Sequence, residues 1–267
     1  MLKSRLITGT VLVALLIAIL LAESVFLQLT AFLVCALVLF ELFKATGVTN
    51  KLPLFVLGFL PMAALFLNNP TLIGLFTFIY IILLFTCMLL MRNDISFSDI
   101  SLVFLTSYMI VFMVKHIVMV RQLADIGKVA IWGVFIGACL SDTFAYFSGM
   151  LFGKHKLAPS ISPKKTIEGS VGALVGTMLS FLIYGIVLIL ATDLKVNIWL
   201  MILLGLICSV FAQFGDLAAS AIKRECGIKD FGTLFPGHGG FMDRLDSILF
   251  VAPVVYYLLI MLPVITF

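Results

Sequence analysis

Charge is what this sequence has least of. Only 11% of its 267 residues are Asp, Glu, Lys or Arg, while 63% are hydrophobic, against about 45–50% apolar residues in a water-soluble domain. A soluble globular protein is therefore excluded, and an integral membrane protein is the expectation. Cysteine is sparse and scattered. Cys35, Cys87, Cys139, Cys208 and Cys226 form no CxxC pair and accompany no histidine cluster, so neither a disulfide framework nor a zinc site is supported. Four of them fall in apolar runs, where a thiol behaves as a small apolar side chain. Internal repeats, low-complexity tracts and a linker to a soluble domain are also missing, which leaves one membrane domain, 1–267, as the simplest account.

What is abundant is long apolar sequence. A helix crosses a hydrocarbon core of about 30 Å with about 20 mainly apolar residues. Nine runs qualify: 6–22, 25–43, 52–68, 71–91, 99–120, 129–151, 169–192, 196–217 and 246–266, of which the first and third are short. The expected fold is all-α, a polytopic helical bundle of about nine transmembrane helices. Lys3 and Arg5 ahead of the first run look like the start of a secretory signal, but the LLAES that follows lacks a convincing small-residue cleavage pair, and the run reads as a retained helix. With the N-terminus in the cytoplasm, Lys115, Arg121, Lys128 and Lys195 fall outside and the other thirteen of the seventeen basic residues inside. That is the bias of the positive-inside rule.

Two inner connections are longer and more polar than the rest: 152–168, FGKHKLAPSISPKKTIE, and 218–245. In this orientation both face the compartment that supplies nucleotides. The half from 129 to 267 is therefore the expected catalytic half, and 1–128 is a hydrophobic multispanning half that says little.

Three constellations stand out. Asp142, Tyr146, Gly149 and Gly153 share one helix face by their spacing. Asp142 lies about nine residues before the cytoplasmic end, so at about 1.5 Å per residue it is about 14 Å deep. A carboxylate there is expensive unless paired, hydrated or metal-bound. The face reads either as the lining of a polar cavity or as a small-residue packing face. In SPKKTIEG, Ser162, Lys164, Lys165 and Thr166 precede a helix start, a good anion site because unpaired amides and the helix dipole favour negative charge. Anchoring of the two lysines to lipid headgroups is the alternative.

The third constellation spans Asp216 to Asp246. If the eighth run continues as helix through Arg224, then Asp216, Ser220 and Lys223 share a face with Arg224 beside them. Beyond it lies KDFGTLFPGHGGFMDRLDS, Lys229 to Ser247. Gly237, Gly239 and Gly240 strip side chains from around His238 so that backbone amides can approach a ligand. Asp243 and Asp246 stand three apart with Arg244 between them. Mg²⁺ is held through one or two carboxylates plus substrate phosphates, and Asp216 with Asp243 would make such a pair. Helix-start acids favoured by the dipole and a turn histidine are the plainer readings.

The run Ser220-Ala-Ile-Lys223-Arg224, then Lys229-Asp230, then Pro236-Gly-His238-Gly239-Gly240-Phe-Met-Asp243-Arg244-Leu-Asp246 closely resembles the signature of the phosphatidate cytidylyltransferases, or CDP-diacylglycerol synthases. The likeness extends over about residues 140–250, including SDTFAYFSGMLFGKHKLAPSISPKKTIEG. The resemblance implies a membrane enzyme using CTP and phosphatidic acid to make CDP-diacylglycerol and pyrophosphate with a divalent metal, usually Mg²⁺, with Mn²⁺ as the alternative. By motif position Asp216 and Asp243 would bind metal, with Asp246 close behind. Lys223, Arg224, Lys229 and the segment from Ser162 to Thr166 would bind nucleotide or lipid phosphate.

It also implies a homodimer in the cell inner membrane or its equivalent, with the active site on the cytoplasmic face and no nucleic-acid partner. Direct in-line attack of a phosphatidate oxygen on the α-phosphorus of CTP is the expected chemistry, with Asp142 and Tyr146 flooring the cavity. The competing expectations are a CTP-dependent lipid or polyprenol kinase and, further off, a transporter with Asp142 and Asp216 on an ion path.

Overall fold

The computed structural model describes residue 10 and residues 16–21, 24–234 and 239–266. Most of the first apolar run and His238 therefore lie outside the described residues. The helices are α1 (Ser24–Ala45), α2 (Leu52–Leu57), α3 (Pro70–Leu90), α4 (Phe97–Arg121), α5 (Gly127–Phe152), α6 (Ile167–Ala191), α7 (Ile198–Glu225) and α8 (Met242–Met261). Among the described residues all but α2 are long and apolar enough to cross a membrane, seven in all. Leu190 and Trp199 are each 81% exposed, as expected where the surroundings are lipid. The chain is an all-α, polytopic integral membrane protein, as its composition requires. The count of nine is not matched one for one, and the third run shows why.

The chain forms two compact units, Met1–Lys115 with Ile228–Asp243, and His116–Gly227 with Arg244–Phe267. In the first unit the run 52–68 is not one helix but two short pieces, α2 and a 3-10 helix over Leu60–Leu65. Pro53 and Pro61 stand in the first turn of each piece, where a missing N–H costs nothing. The break falls at Gly58, where a Cβ would lie 2.4 Å from the Phe43 ring. Phe55 and Phe59 pack edge-on against that ring, centroids 6.1 and 5.6 Å away.

Breaking a helix frees carbonyls that hydrocarbon cannot hydrate. Neighbouring side chains take them up. Ser107 Oγ donates to the Gly58 carbonyl at 2.8 Å, Gln28 Nε2 to Leu65 at 3.0 Å, and Lys115 Nζ to Ala64 at 2.8 Å and to Leu67 as well. Lys115, which the charge count places among outer residues, is thus a capping group inside α4. The segment leaves from Lys51, paired at 2.5 Å with Asp99 at the start of α4, and arrives at Lys115 sixteen residues along the same helix, about 24 Å away. Short and broken, it still runs the length of its neighbour.

In the second unit small residues let helices approach closely. A Cβ at Gly172 would meet Ser148, at Gly176 the ring of Phe144, and at Gly205 the fully buried Phe181. α5 carries a π-helical turn at Ile136–Leu140. The connection expected as an irregular loop is a hairpin, β1 (Lys156–Ala158) antiparallel to β2 (Ser162–Thr166), with Lys156 opposite Thr166. Thr166 then caps α6, its Oγ accepting from the Gly169 N–H at 3.1 Å. A second short pair, β3 (Lys195–Val196) and β4 (Ile265–Thr266), joins the start of α7 to the C-terminal segment.

Candidate active site

In the second unit, α5, β2, α7 and α8 each bring a charged side chain to one place. α7 does continue as helix to Glu225, so Asp216, Ser220 and Lys223 share a face. Ser220 Oγ donates to Asp216 Oδ1 at 3.4 Å, and Lys165 Nζ lies 2.7 Å from Asp216 Oδ2. Asp142 accepts from Ser247 Oγ at 3.3 Å and feels the charges of Asp216, Lys165 and Arg244. Asp246 is 8% exposed, accepts its neighbour's N–H from Ser247 at 2.9 Å, and feels Asp216, Asp142 and Lys223. Three acids repelling one another are held there by three cations, and a bound cation would relieve the repulsion further.

Beside them is a small polar cavity of about 40 Å³, lined by Asp142, Lys165, Thr166, Ser170, Gln213 and Asp216 among others. That is room for water but far less than a drug-sized ligand fills. Ser170 and Gln213 were not singled out from sequence. Ser170 Oγ bonds Gln213 Oε1, Gln213 Nε2 donates to Ser209 Oγ at 3.3 Å, and Ser209 meets Ser141 at 2.9 Å. The signal was four polar side chains spaced through apolar runs.

Tyr146 is 66% exposed, stacks edge-on with Phe147 and does not line this cavity. Gly149 and Gly153 serve packing, since a Cβ at either would press on Thr166. Lys164 and Lys165, taken together from sequence, separate because a strand sends neighbours to opposite faces: Lys164 is exposed, Lys165 turned to Asp216. Ser162 opens β2 opposite Ala158. Arg224 Nε donates to the Ile161 carbonyl at 3.2 Å, tying the end of α7 to the hairpin. Glu168, also missed, ties the hairpin's base to α6. Its carboxylate accepts from the Lys154 and His155 amides and lies 2.7 Å from His155 Nδ1. Burial, and then the charge of Glu225, push the Cys226 thiol above its ordinary range, which makes it a poor nucleophile.

In the first unit, Lys229 is exposed and Asp243 lies in the first turn of α8. Asp243 Oδ2 accepts from the Phe231 N–H at 2.8 Å and the Gly240 N–H at 2.9 Å. Gly239 has φ +83°, a left-handed conformation that glycine adopts without strain. Space at Gly240 is also tight against Glu41: a Cβ there would lie 2.4 Å from both of its carboxylate oxygens. Among the described residues no group of three or more His, Cys, Asp or Glu is placed to hold a metal by itself.

A helical membrane protein that brings Asp142, Lys165, Asp216 and Asp246 together within one unit has charged groups of the kind that phosphate chemistry uses. Comparison with known proteins agrees. The chain belongs to the Cytidylyltransferase family, whose model matches residues 3–262. It is similar to the phosphatidate cytidylyltransferase of Staphylococcus haemolyticus, 36% identical over 97% of this chain and 99% of that one, and to that of Staphylococcus saprophyticus, 33% identical over the same shares. The phosphatidate cytidylyltransferase of Bacillus subtilis is 37% identical over 67% of this chain and 65% of its own.

Proposed function

We propose that this chain is a phosphatidate cytidylyltransferase, joining CTP to phosphatidic acid to give CDP-diacylglycerol and pyrophosphate. The observation that carries it is the Lys165–Asp216 pair among Asp142, Asp246 and Ser220, inside a family match that covers nearly the whole chain. A phosphatidate oxygen attacks the α-phosphorus of CTP, the new P–O bond forms, and the bond to the β-phosphate oxygen breaks to release pyrophosphate. The nucleophile is already anionic, so positioning and charge neutralisation are the protein's task. Lys165 leaves Asp216 to meet phosphate oxygens. Lys223, Arg224 and Arg244 offset the remaining negative charge, and Ser220 orients the Asp216 carboxylate.

The donors on offer are hard carboxylate oxygens in ones and twos, which suits Mg²⁺, or Mn²⁺, completed by phosphates and water. Asp216 in the second unit would hold it, with Asp246 close behind; the resemblance implies Asp243 as a ligand too, and Asp243→Asn is expected to abolish cytidylyl transfer without preventing membrane insertion. When bound, such an ion polarises phosphate oxygens and offsets charge as it develops.

The positive-inside bias supports a cytoplasmic site, so that acyl chains stay in hydrocarbon while the headgroup meets a water-borne nucleotide. A homodimer is part of the reading by family likeness. The deciding assay supplies [α-³²P]CTP and phosphatidic acid in micelles to the purified protein. Label in the lipid is the expected result. Label left on CDP, with the γ-phosphoryl moved instead, would make the enzyme a lipid kinase and overturn the reading.

A further inference from the structure

Glu41 is a carboxylate near the end of α1, in the half outside the signature that the site residues carry, and it is only 7% exposed. Its neighbours Leu39, Leu42 and Phe43 are fully or nearly fully buried. An acid in such a place needs strong partners. It finds two backbone amides: Phe241 N–H donates to Oε1 at 3.0 Å and Met242 N–H to Oε2 at 2.9 Å. Met242 is the first residue of α8 and Phe241 stands just before it, at the end of a helix where backbone N–H groups call for outside acceptors and a carboxylate is favoured by the helix dipole. The contact joins residues 200 and 201 positions apart.

The same carboxylate explains two glycines. A Cβ at Gly232 would lie 2.3 Å from Oε1, and one at Gly240 would lie 2.4 Å from both oxygens. Asp243 takes the next pair of amides, those of Phe231 and Gly240. Two acids thus take up the three successive amides of one turn, 240 to 242, and that of Phe231 as well, Glu41 from outside the turn and Asp243 from within. Whatever fixes Phe241 and Met242 also fixes where the Asp243 side chain starts.

We infer that Glu41 is a positioning residue for the reaction: through the Phe241 and Met242 amides it sets the turn 239–243 and so the Asp243 carboxylate. This rests on the reading of the 229–246 segment as part of the active site, and assigns to the N-terminal half a share in catalysis. Glu41 touches no substrate. Its loss therefore lowers turnover more than it weakens binding of either substrate.

The test uses the full chain purified in detergent, as wild type, Glu41→Asp, Glu41→Gln and Glu41→Ala, with cytidylyl transfer measured against CTP and phosphatidate. Amide hydrogen exchange of peptides covering 228–261 is followed in parallel, without substrate or metal. Glu41→Gln is the key variant, because it keeps the volume and replaces one acceptor oxygen by an NH2 that faces an N–H. Expected is a kcat loss of about 10²-fold for Glu41→Gln and Glu41→Ala, the cost of misplacing a group by about an ångström, with both KM values changed by less than about threefold. Glu41→Asp, which keeps both oxygens, is expected to be intermediate.

The Phe241 and Met242 amides should exchange faster in Glu41→Gln, while the body of α8 stays protected. Unchanged exchange at those amides would overturn the inference. So would a kcat loss that matches the loss of folded protein and is absent per folded molecule. If the wild type itself transfers no cytidylyl group, the proposed function fails, and the exchange arm still decides whether Glu41 sets the turn.

Discussion

Asp216 and Glu41 are both carboxylates on long apolar helices, and their surroundings differ in kind. Asp216 in the second unit faces side chains, Lys165 at 2.7 Å and Ser220 at 3.4 Å. Glu41 in the first unit faces backbone, the amides of Phe241 and Met242. A lysine on a flexible four-carbon stem can swing aside when phosphate arrives, whereas a peptide amide moves only if the chain does. The difference separates an acid kept available for chemistry from one that holds shape.

The widest gap between the two regions should open at Asp216. Asp216→Asn is expected to lower cytidylyl transfer by about 10³-fold, the upper range for removing one electrostatic group from an active site, while membrane insertion and melting temperature stay near wild type. Near-normal activity would erase the contrast. Next in size is the strand that carries Lys165. Lys165→Met should lower kcat/KM for CTP by about 10²-fold, and Lys164→Met, on the opposite face of β2, by no more than about threefold. Equal losses would mean that the two lysines act as one anion site after all.

The smallest effect on activity belongs to the first unit's broken span. Lys115→Met leaves the Ala64 and Leu67 carbonyls without their donor and should lower stability by about 1–3 kcal/mol, read as a drop in melting temperature in detergent, with kcat per folded molecule within about twofold of wild type. A large fall in kcat would mean that this unit's framework is tied to turnover more directly than by the placement of one turn.

How much of this was legible beforehand follows the range of the interactions. Apolar runs announce spans because helix and lipid are both local requirements, and five of the nine runs agree with a long helix within two residues at both ends. The Asp216–Ser220–Lys223 face was legible too, since one helix sets it. Thr166 as a helix cap could be read from its neighbours. Glu41 could not, because its partners lie 200 residues away and nothing near it signals them. The break at Gly58 escaped for the same reason: the Phe43 ring that fills the glycine's space and the Ser107, Gln28 and Lys115 donors come from α1 and α4. Nothing in the polar stretch 152–168 announces the hairpin 156–166, and the separation of Lys164 from Lys165, which only strand pleating dictates, stays hidden with it.

The π-helical turn at Ile136–Leu140 lies immediately before Ser141 and Asp142. Such a turn accommodates one more residue than an α-helical turn does, and one residue advances a helix by about 100°. Because the wider turn already absorbs that advance, excising a single position there would let α5 close into regular geometry with Asp142 near its present bearing, whereas excising one from a regular turn beside it would swing Asp142 around the axis. Helix phase, more than residue identity, is then the quantity that deletion scanning through this stretch would expose.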